Sequence, residues 1–172
     1  MFRGLMDSLD DPYSEYYTAE ELNELTEQTQ GIYYGIGAYV SMDSDTNLPK
    51  ISGVIEGAPA ADVDLRANDI IYEVDGTSTA GKTLTEAVNM IRGEAGTTVD
   101  LTIVRQGAGD YLHVTVERAK VESPTVKYEM LDDNMAYIQI VEFDDVTIDQ
   151  FTDALATVKG SGMEGLILDL RG

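Results

Sequence analysis

The feature that most constrains the fold of this sequence is one capped, apolar helix set among short alternating strands. Thr83 and Glu86 match the pattern of a capping box, in which each residue binds the other's backbone N–H. The apolar residues that follow share one helix face: Leu84, Ala87, Val88 and Ile91. Gly93 is well placed to end the helix. The sequence therefore predicts a helix that packs by one face onto a sheet.

The predicted strands surround this helix. Ile36, Ala38 and Val40 alternate with other residues, as half-buried strand residues do. Two further strands, over residues 99–103 and 112–116, are separated by a glycine-rich turn and predict a hairpin. Residues 31–119 are thus predicted to form one mixed α+β domain.

The two ends of the chain have a different texture. Residues 1–30 read as a helical segment, with a second capping box at Thr18 and Glu21. Residues 120–172 read as strand, helix and short apolar strand, which is a βαβ unit. Such a unit implies a parallel sheet with further elements, so we expect this last region to be the truncated beginning of a larger α/β domain.

Composition excludes several classes of function. The formal net charge of −21 repels phosphate backbones, so nucleic acid is not expected as a partner. Cysteine is absent, which excludes disulfides and thiolate chemistry. No apolar run approaches the length of a membrane span, and the first residues lack the order of a signal peptide. Any membrane association is expected only through segments outside this chain.

A candidate binding site begins at the Gly-x-Gly sequence of Gly35, Ile36 and Gly37. Two glycines allow the backbone N–H groups of Ile36, Gly37 and Ala38 to converge on a carboxylate. The strand after them offers an edge to an added peptide strand, and the capped helix follows about 45 residues later. Strand and helix together predict a peptide groove. The simpler alternatives are a tight turn and a helix face that serves only the core.

Candidate catalytic residues are few. His113 lies between two apolar strand residues and is expected to face solvent. The acidic pairs at residues 132–133 and 144–145 lack the spacing of a calcium loop. Ser161 follows a helix and is not in a nucleophile elbow. We therefore expect no catalytic residue, no metal site and no cofactor within this chain.

Several motifs occur here in a fixed order. Residues 8–14 (SLDDPYS) resemble the L-D-P-Y-S element that precedes the docking domain of C-terminal processing peptidases, also called tail-specific proteases. Residues 35–37 resemble the PDZ carboxylate-binding loop of the same family. Residues 56–60 and 68–71 resemble the G-x-P-A and G-D-x-I elements of bacterial PDZ domains. Residues 91–97 resemble the I-R-G-x-x-G-T turn, and residues 168–171 (LDLR) resemble an element of the protease core. Asp64 and Asn68 replace usual glycines, so we expect the loop at residues 62–68 to differ in shape.

The resemblance implies a fold and an activity. The fold would be a PDZ-like β-sandwich or partial barrel with two helices over residues 31–119, flanked by the helical segment 1–30 and the beginning of the protease core at 120–172. The parent would be a serine endopeptidase whose serine nucleophile and lysine base both lie downstream of this chain. It would act outside the cytoplasm, in the periplasm or cell envelope or as a secreted protein. This chain alone would be inactive. The alternatives are a non-enzymatic PDZ peptide-binding module or the PDZ part of another protease type.

By the same resemblance, the expected ligands are apolar-ended C-terminal tails of proteins. The terminal side chain would enter a pocket formed by Ile36, Ala38, Val40 and Ile91. The expected peptide-binding residues are, in full, Gly35, Ile36, Gly37, Ala38, Val40, Leu84, Val88 and Ile91. Arg92 is either a cation at the negative end of the helix or a contact that couples the docking domain to the protease core.

Overall fold

The structure is a computed structural model that describes residues 13–171 together with residues 4, 6, 8, 9 and 11. The chain divides into two compact units. The first, here called the central unit, is Ile32–Pro124. The second, here called the flanking unit, combines Met1–Gly31 with Thr125–Gly172. The predicted mixed α+β class is confirmed by the helices and open sheets of both units.

The elements are numbered in chain order. The helices are α1 (Ala19–Gln30), α2 (Pro59–Asp62), α3 (Leu84–Ile91) and α4 (Thr147–Gly160), with a short 3-10 helix at Asp132–Asn134. The strands of the central unit are β1 (Ile32–Gly35), β2 (Ala38–Met42), β3 (Pro49–Val54), β4 (Ile70–Val74), β5 (Thr77–Ser78), β6 (Thr98–Val104), β7 (Leu112–Glu117) and β8 (Ala119–Glu122). The strands of the flanking unit are β9 (Val126–Met130), β10 (Met135–Ile140) and β11 (Gly165–Asp169).

The central unit contains two antiparallel sheets. The larger has the strand order β2-β3-β4-β6-β7, with β5 paired to β4, and the predicted β6–β7 hairpin is confirmed. The smaller pairs β1 with β8. The core combines inward residues of the strands with residues of both helices, among them Ile51, Ile71, Leu101 and Ile91. Because β2 is at one end of the larger sheet, its outer edge is open within the described part of the chain.

The loop between α2 and β4 contains Asp64 and Asn68, the two residues that stand where the resembled family usually has glycine. Asp64 and Asn68 both adopt left-handed backbone, with φ of 60° and 74°. The Asp64 carboxylate lies 2.7 Å from Arg66 Nη2, and Arg105 Nη2 donates to the Asp64 carbonyl at 2.7 Å. These contacts compensate for the strain that a left-handed non-glycine residue introduces.

In the flanking unit, β10 and β11 are parallel and joined by α4, which confirms the predicted βαβ unit. The sheet order is β11-β10-β9. One face is covered by α4, whose Ala154 and Val158 pack on Ala136 and Ile138. The edge strand β11 keeps large apolar side chains exposed at Leu166, Ile167 and Leu168.

In the N-terminal segment, α1 begins directly after the predicted cap at Thr18. Residues 13–18 are not helical, and α1 begins at Ala19. The predicted capping box before it is confirmed, since the Glu21 N–H donates to Thr18 Oγ1 and the Thr18 N–H to the Glu21 carboxylate. Residues 1–3, 5, 7, 10 and 12 lie outside the described residues. In the described ranges, we find no helix with the length and hydropathy needed to cross a bilayer.

The β1–β8 pairing also bears on where the central unit ends. Gly35 faces Ala119 and Ile32 faces Glu122, so β8 belongs to the same unit as β1. The compact unit therefore extends to Pro124, whereas the sequence predicts a boundary after residue 119. The assignment of these regions to a docking domain and a protease core stays a prediction.

Candidate peptide-binding groove

The glycine loop (residues 35–38) joins β1 to β2 and has a backbone that only glycine fits at Gly37. The φ of Gly37 is +74°, and a Cβ placed on it would lie 2.2 Å from the Ala58 Cβ. The loop is also tied down from inside the unit. The Ala60 N–H donates to the Ile36 carbonyl at 2.8 Å, and the Ile55 N–H donates to the Gly37 carbonyl at 2.9 Å.

The carbonyls of Ile36 and Gly37 are bound inward, whereas the N–H groups of the same two residues are unused among the described residues. Within the described part of the chain, neither the Ile36 N–H nor the Gly37 N–H donates a hydrogen bond. Consecutive N–H groups around a left-handed residue form a concave site for an anion. A carboxylate is the anion that would satisfy both donors at once and charge-assist their hydrogen bonds.

The helix α3 lies beside the open strand β2. Its N-terminus is fixed by the predicted capping box, in which the Thr83 N–H donates to the Glu86 carboxylate at 2.8 Å and the Glu86 N–H to Thr83 Oγ1 at 3.3 Å. The hydrogen bonds that the Thr83 N–H and the Thr83 hydroxyl donate to the Glu86 carboxylate hold its pKa below the ordinary value. A fixed helix beside an open strand edge forms a groove of the shape that an extended peptide enters as an added strand.

The predicted pocket residues lie together. Ile36 and Ile91 are 3% and 5% exposed within one core cluster, and Ala38 and Val40 pack against the same cluster. The other two helix residues differ, because Leu84 is 36% exposed and Val88 is half-buried. The helix face is therefore divided, with Ile91 in the core and with Leu84 and Val88 open to a ligand. These roles in peptide binding stay predictions.

Arg92 follows α3 and lies against the glycine loop. Its guanidinium lies 5.4 Å from the centre of the Tyr33 ring on β1, within cation–π range. Its Cγ lies 3.8 Å from the place that a Cβ on Gly35 would occupy. Arg92 therefore connects the end of the helix to the strand that enters the glycine loop. Coupling to a protease core stays a prediction.

Arg118, which sequence reasoning missed, lies at the same end of the helix. Its side chain is buried between α3 and β6, where it donates to the Ile91 carbonyl at 2.7 Å and to the Thr98 carbonyl at 2.7 Å. In the sequence Arg118 looks like an ordinary charged residue after a strand. Its partners lie 20 or more residues away, so no local pattern indicated them.

The other titratable candidates have ordinary roles. His113 is exposed on β7, as expected, and its Nδ1 lies 3.4 Å from Thr102 Oγ1. Ser161 lies at the end of α4, where its hydroxyl donates to the Thr157 carbonyl at 3.1 Å. Among the residues that the structure describes, no group of His, Asp and Glu is placed to hold a metal ion.

Comparisons with known proteins agree with this geometry. A family model described as PDZ domain matches residues 50–105. Carboxy-terminal processing protease CtpA of Bacillus subtilis is 38% identical over 170 residues, covering 99% of this chain and 36% of that protein. A Staphylococcus haemolyticus protein named "Probable CtpA-like serine protease" is 33% identical over 168 residues, covering 98% and 33%. The solved structure of a photosystem II D1 C-terminal processing protease superposes with a TM-score of 0.59 at 24% identity, covering 98% of this chain and 48% of that one.

The central unit is therefore PDZ-like, since a family model described as PDZ domain matches residues 50–105 within it. Over nearly its whole length the chain is homologous to carboxy-terminal processing proteases, so the resemblance noted in the sequence is confirmed. The chain spans about a third of the length of these two curated relatives, 36% and 33%.

Proposed function

We propose that this chain is the tail-recognition part of a serine endopeptidase that binds the C-termini of proteins and processes them. The carboxylate binds the Ile36 and Gly37 N–H groups, and the peptide adds a strand to β2. The terminal side chain is small or medium and apolar, because the pocket is formed by Ile36, Ala38, Val40 and Ile91. An apolar residue two positions earlier contacts Leu84.

The observation that supports this proposal best is the pair of unused N–H groups beside an open strand edge. A structural loop would be expected to satisfy its backbone donors, since unpaired buried donors are costly. Here the two unused donors directly precede the open strand β2, and Ile36, Ala38 and Val40 beside them are apolar. The homology supports the same function, because the relatives are named as carboxy-terminal processing proteases.

Calorimetry with one peptide and its C-terminal amide tests this proposal. The probe is an N-acetylated octapeptide that ends in alanine and has valine two residues earlier. We expect the free acid to bind the chain with a Kd on the order of micromolar, because a short peptide loses much ordering entropy on binding. The amide should bind at least about tenfold more weakly, since it lacks a charge-assisted acceptor. Equal affinities would contradict tail recognition.

A matched pair of helix variants locates the binding site. Val88→Glu places a carboxylate in the groove and should abolish binding of the free acid. Asn89→Glu adds the same charge at the next, exposed residue of α3 and should leave binding within about twofold, because surface charges are screened. Equal effects of the two substitutions would place the peptide elsewhere.

The catalytic serine and lysine are proposed to lie in the remainder of the parent protein. The homology over a third of the relatives' length supports this placement. The chain of residues 1–172 should therefore not cleave unstructured protein substrates. Cleavage that a single Ser→Ala substitution within residues 1–172 abolishes would contradict the proposal.

We further propose that the parent acts outside the cytoplasm, on the sequence resemblance alone. Fractionation of cells that produce the full-length protein should place it in the envelope or the medium. Recovery in the cytosol with a soluble control enzyme would contradict this placement.

A further inference from the structure

Arg118 is a buried cation with only neutral partners. Its side chain is 8% exposed. Nε donates to the Ile91 carbonyl at 2.7 Å, Nη2 to the Met90 carbonyl at 3.3 Å, and Nη1 to both the Thr98 carbonyl at 2.7 Å and Thr97 Oγ1 at 3.1 Å. No carboxylate pairs with it among the described residues. A guanidinium stays charged in a protein, so its positive charge is not cancelled by an ion pair.

The place of this charge is the end of the groove. Met90 and Ile91 are the last two residues of α3, and Ile91 is part of the predicted pocket. The residue after Arg118 is Ala119, which pairs with Gly35 of the glycine loop. Two residues further, the Val121 methyl groups lie 3.5 Å from the position of a Cβ on Gly37. Arg118 thus lies where the helix end, β8 and the glycine loop meet.

The electrostatics of this place require a cation. The C-terminal end of a helix has a partial negative charge of about half an elementary charge, which would repel a peptide carboxylate bound beside it. The whole chain adds to that repulsion with a net charge of −21. Arg118 binds the last helix carbonyls directly and offsets their charge, and partial burial reduces the screening of its field by water.

We propose that Arg118 is a positioning residue for carboxylate recognition, which makes the end of α3 electropositive toward the glycine loop. It acts through the helix end and does not touch the peptide. The proposal rests on the proposed function, since it assigns this role to the same groove. A purely structural role for Arg118 would instead stabilise the helix and affect the binding of every peptide equally.

The test neutralises Arg118 without removing it. Thr97 is exposed, and its hydroxyl already accepts from Nη1. Thr97→Asp therefore places a carboxylate beside the guanidinium and leaves the main-chain bonds of Arg118 in place. Thr97→Asn is the neutral variant of nearly the same shape. Arg118→Gln removes the charge itself, and Arg66→Gln makes the same change at an exposed arginine of the same unit.

The readout is the affinity ratio of the acetylated octapeptide acid to its amide, measured by calorimetry on the full chain. Relative to Thr97→Asn, Thr97→Asp should weaken binding of the acid about tenfold and of the amide less than twofold, as expected for a lost charge interaction at low effective dielectric. Arg118→Gln should lower the ratio similarly, and Arg66→Gln should leave it unchanged. If Arg118→Gln fails to fold, the Thr97 pair decides.

Two results would overturn the proposal. If Thr97→Asp weakens the binding of acid and amide by the same factor, or changes the binding of neither, Arg118 has only a structural role. If the wild-type chain itself binds acid and amide equally, tail recognition fails and the role of Arg118 falls with it. The first result leaves the proposed function intact, because the wild-type ratio stays high.

Discussion

The central and flanking units differ in how completely they bury the apolar residues of their strands. In the central unit, strands β3, β4, β6 and β7 enclose a core in which Ile71 is 0% exposed. In the flanking unit, α4 packs on one sheet face through Ala154 and Val158, and the edge strand β11 leaves Ile167 45% exposed. The strands that contain these two residues, β4 (IIYEV) and β11 (GLILD), are both rich in apolar residues. An apolar strand residue is therefore buried only where another element packs against its face of the sheet.

This difference matters for function. The proposed peptide groove would need a rigid frame, because binding costs less when the glycine loop and α3 already hold their positions. The central unit provides that frame through one continuous core, to which Ile36 and Ile91 both belong. The exposed residues of β11 indicate a surface whose sequence is suited to a larger sheet.

The largest expected effect is the difference in stability loss when the same Ile→Ala substitution is made in each unit. Ile71→Ala should lower the free energy of unfolding of the central unit by about 2–5 kcal/mol, because it leaves a cavity in a closed core. Ile167→Ala should change the stability of the flanking unit by about 0.5 kcal/mol or less, as at other surface positions. Hydrogen exchange of the β4 and β11 amides measures both. Equal losses would show that β11 is as well packed as β4.

The next prediction concerns the glycine loop. Gly37→Ala should destabilise the central unit and weaken peptide binding, because the added methyl meets the Ala58 Cβ at 2.2 Å. Gly57→Ala is the matched control, since Gly57 has the same φ of +74° but nothing within 4 Å of an added Cβ. It should lose only the backbone term, about 1–2 kcal/mol. Thermal unfolding and calorimetry compare the two variants. Equal losses of stability and affinity would show that the close approach of Gly37 to Ala58 does not contribute.

A smaller expected effect is the contribution of the Asp43 carboxylate to the stability of the central unit, which depends on pH. Hydrogen bonds from Lys50 and Thr46 lower the pKa of the Asp43 carboxyl from 3.8 to about 2. Because the folded-state pKa is depressed, this carboxylate stabilises the fold above pH 4, and the stabilisation is lost as the pH falls from 4 toward 2. Asp43→Asn should flatten the stability curve in that window. An unchanged curve would show that the Asp43 contacts do not bias its protonation.

The sequence predicted what depends on neighbouring residues. The capping box of α3 spans four residues, and the hairpin and the βαβ unit follow from local periodicity. The glycine loop was also predicted, because glycine permits the left-handed backbone that Gly37 adopts, with φ of +74°. The role of Ala58 beside Gly37 was not, because the contact depends on how α2 returns to the loop.

Arg118 is the clearest case of what sequence could not provide. Its acceptors come from α3 and from the start of β6, and only the tertiary fold brings them to one guanidinium. The exposure of the β11 side chains could not be predicted from a local sequence pattern for the same reason. Its apolar residues predict burial, whereas the number of strands beside it is a property of the whole sheet.

The most direct test of the central claim is the response of two backbone amides to a free carboxyl terminus. Nuclear magnetic resonance of the full chain should show the Ile36 and Gly37 amide protons moving downfield when the acetylated octapeptide acid is added, because each gains a charge-assisted hydrogen bond. The same peptide as its amide should leave them nearly in place. Large shifts that avoid Ile36 and Gly37, or equal shifts with acid and amide, would contradict carboxylate recognition by this loop.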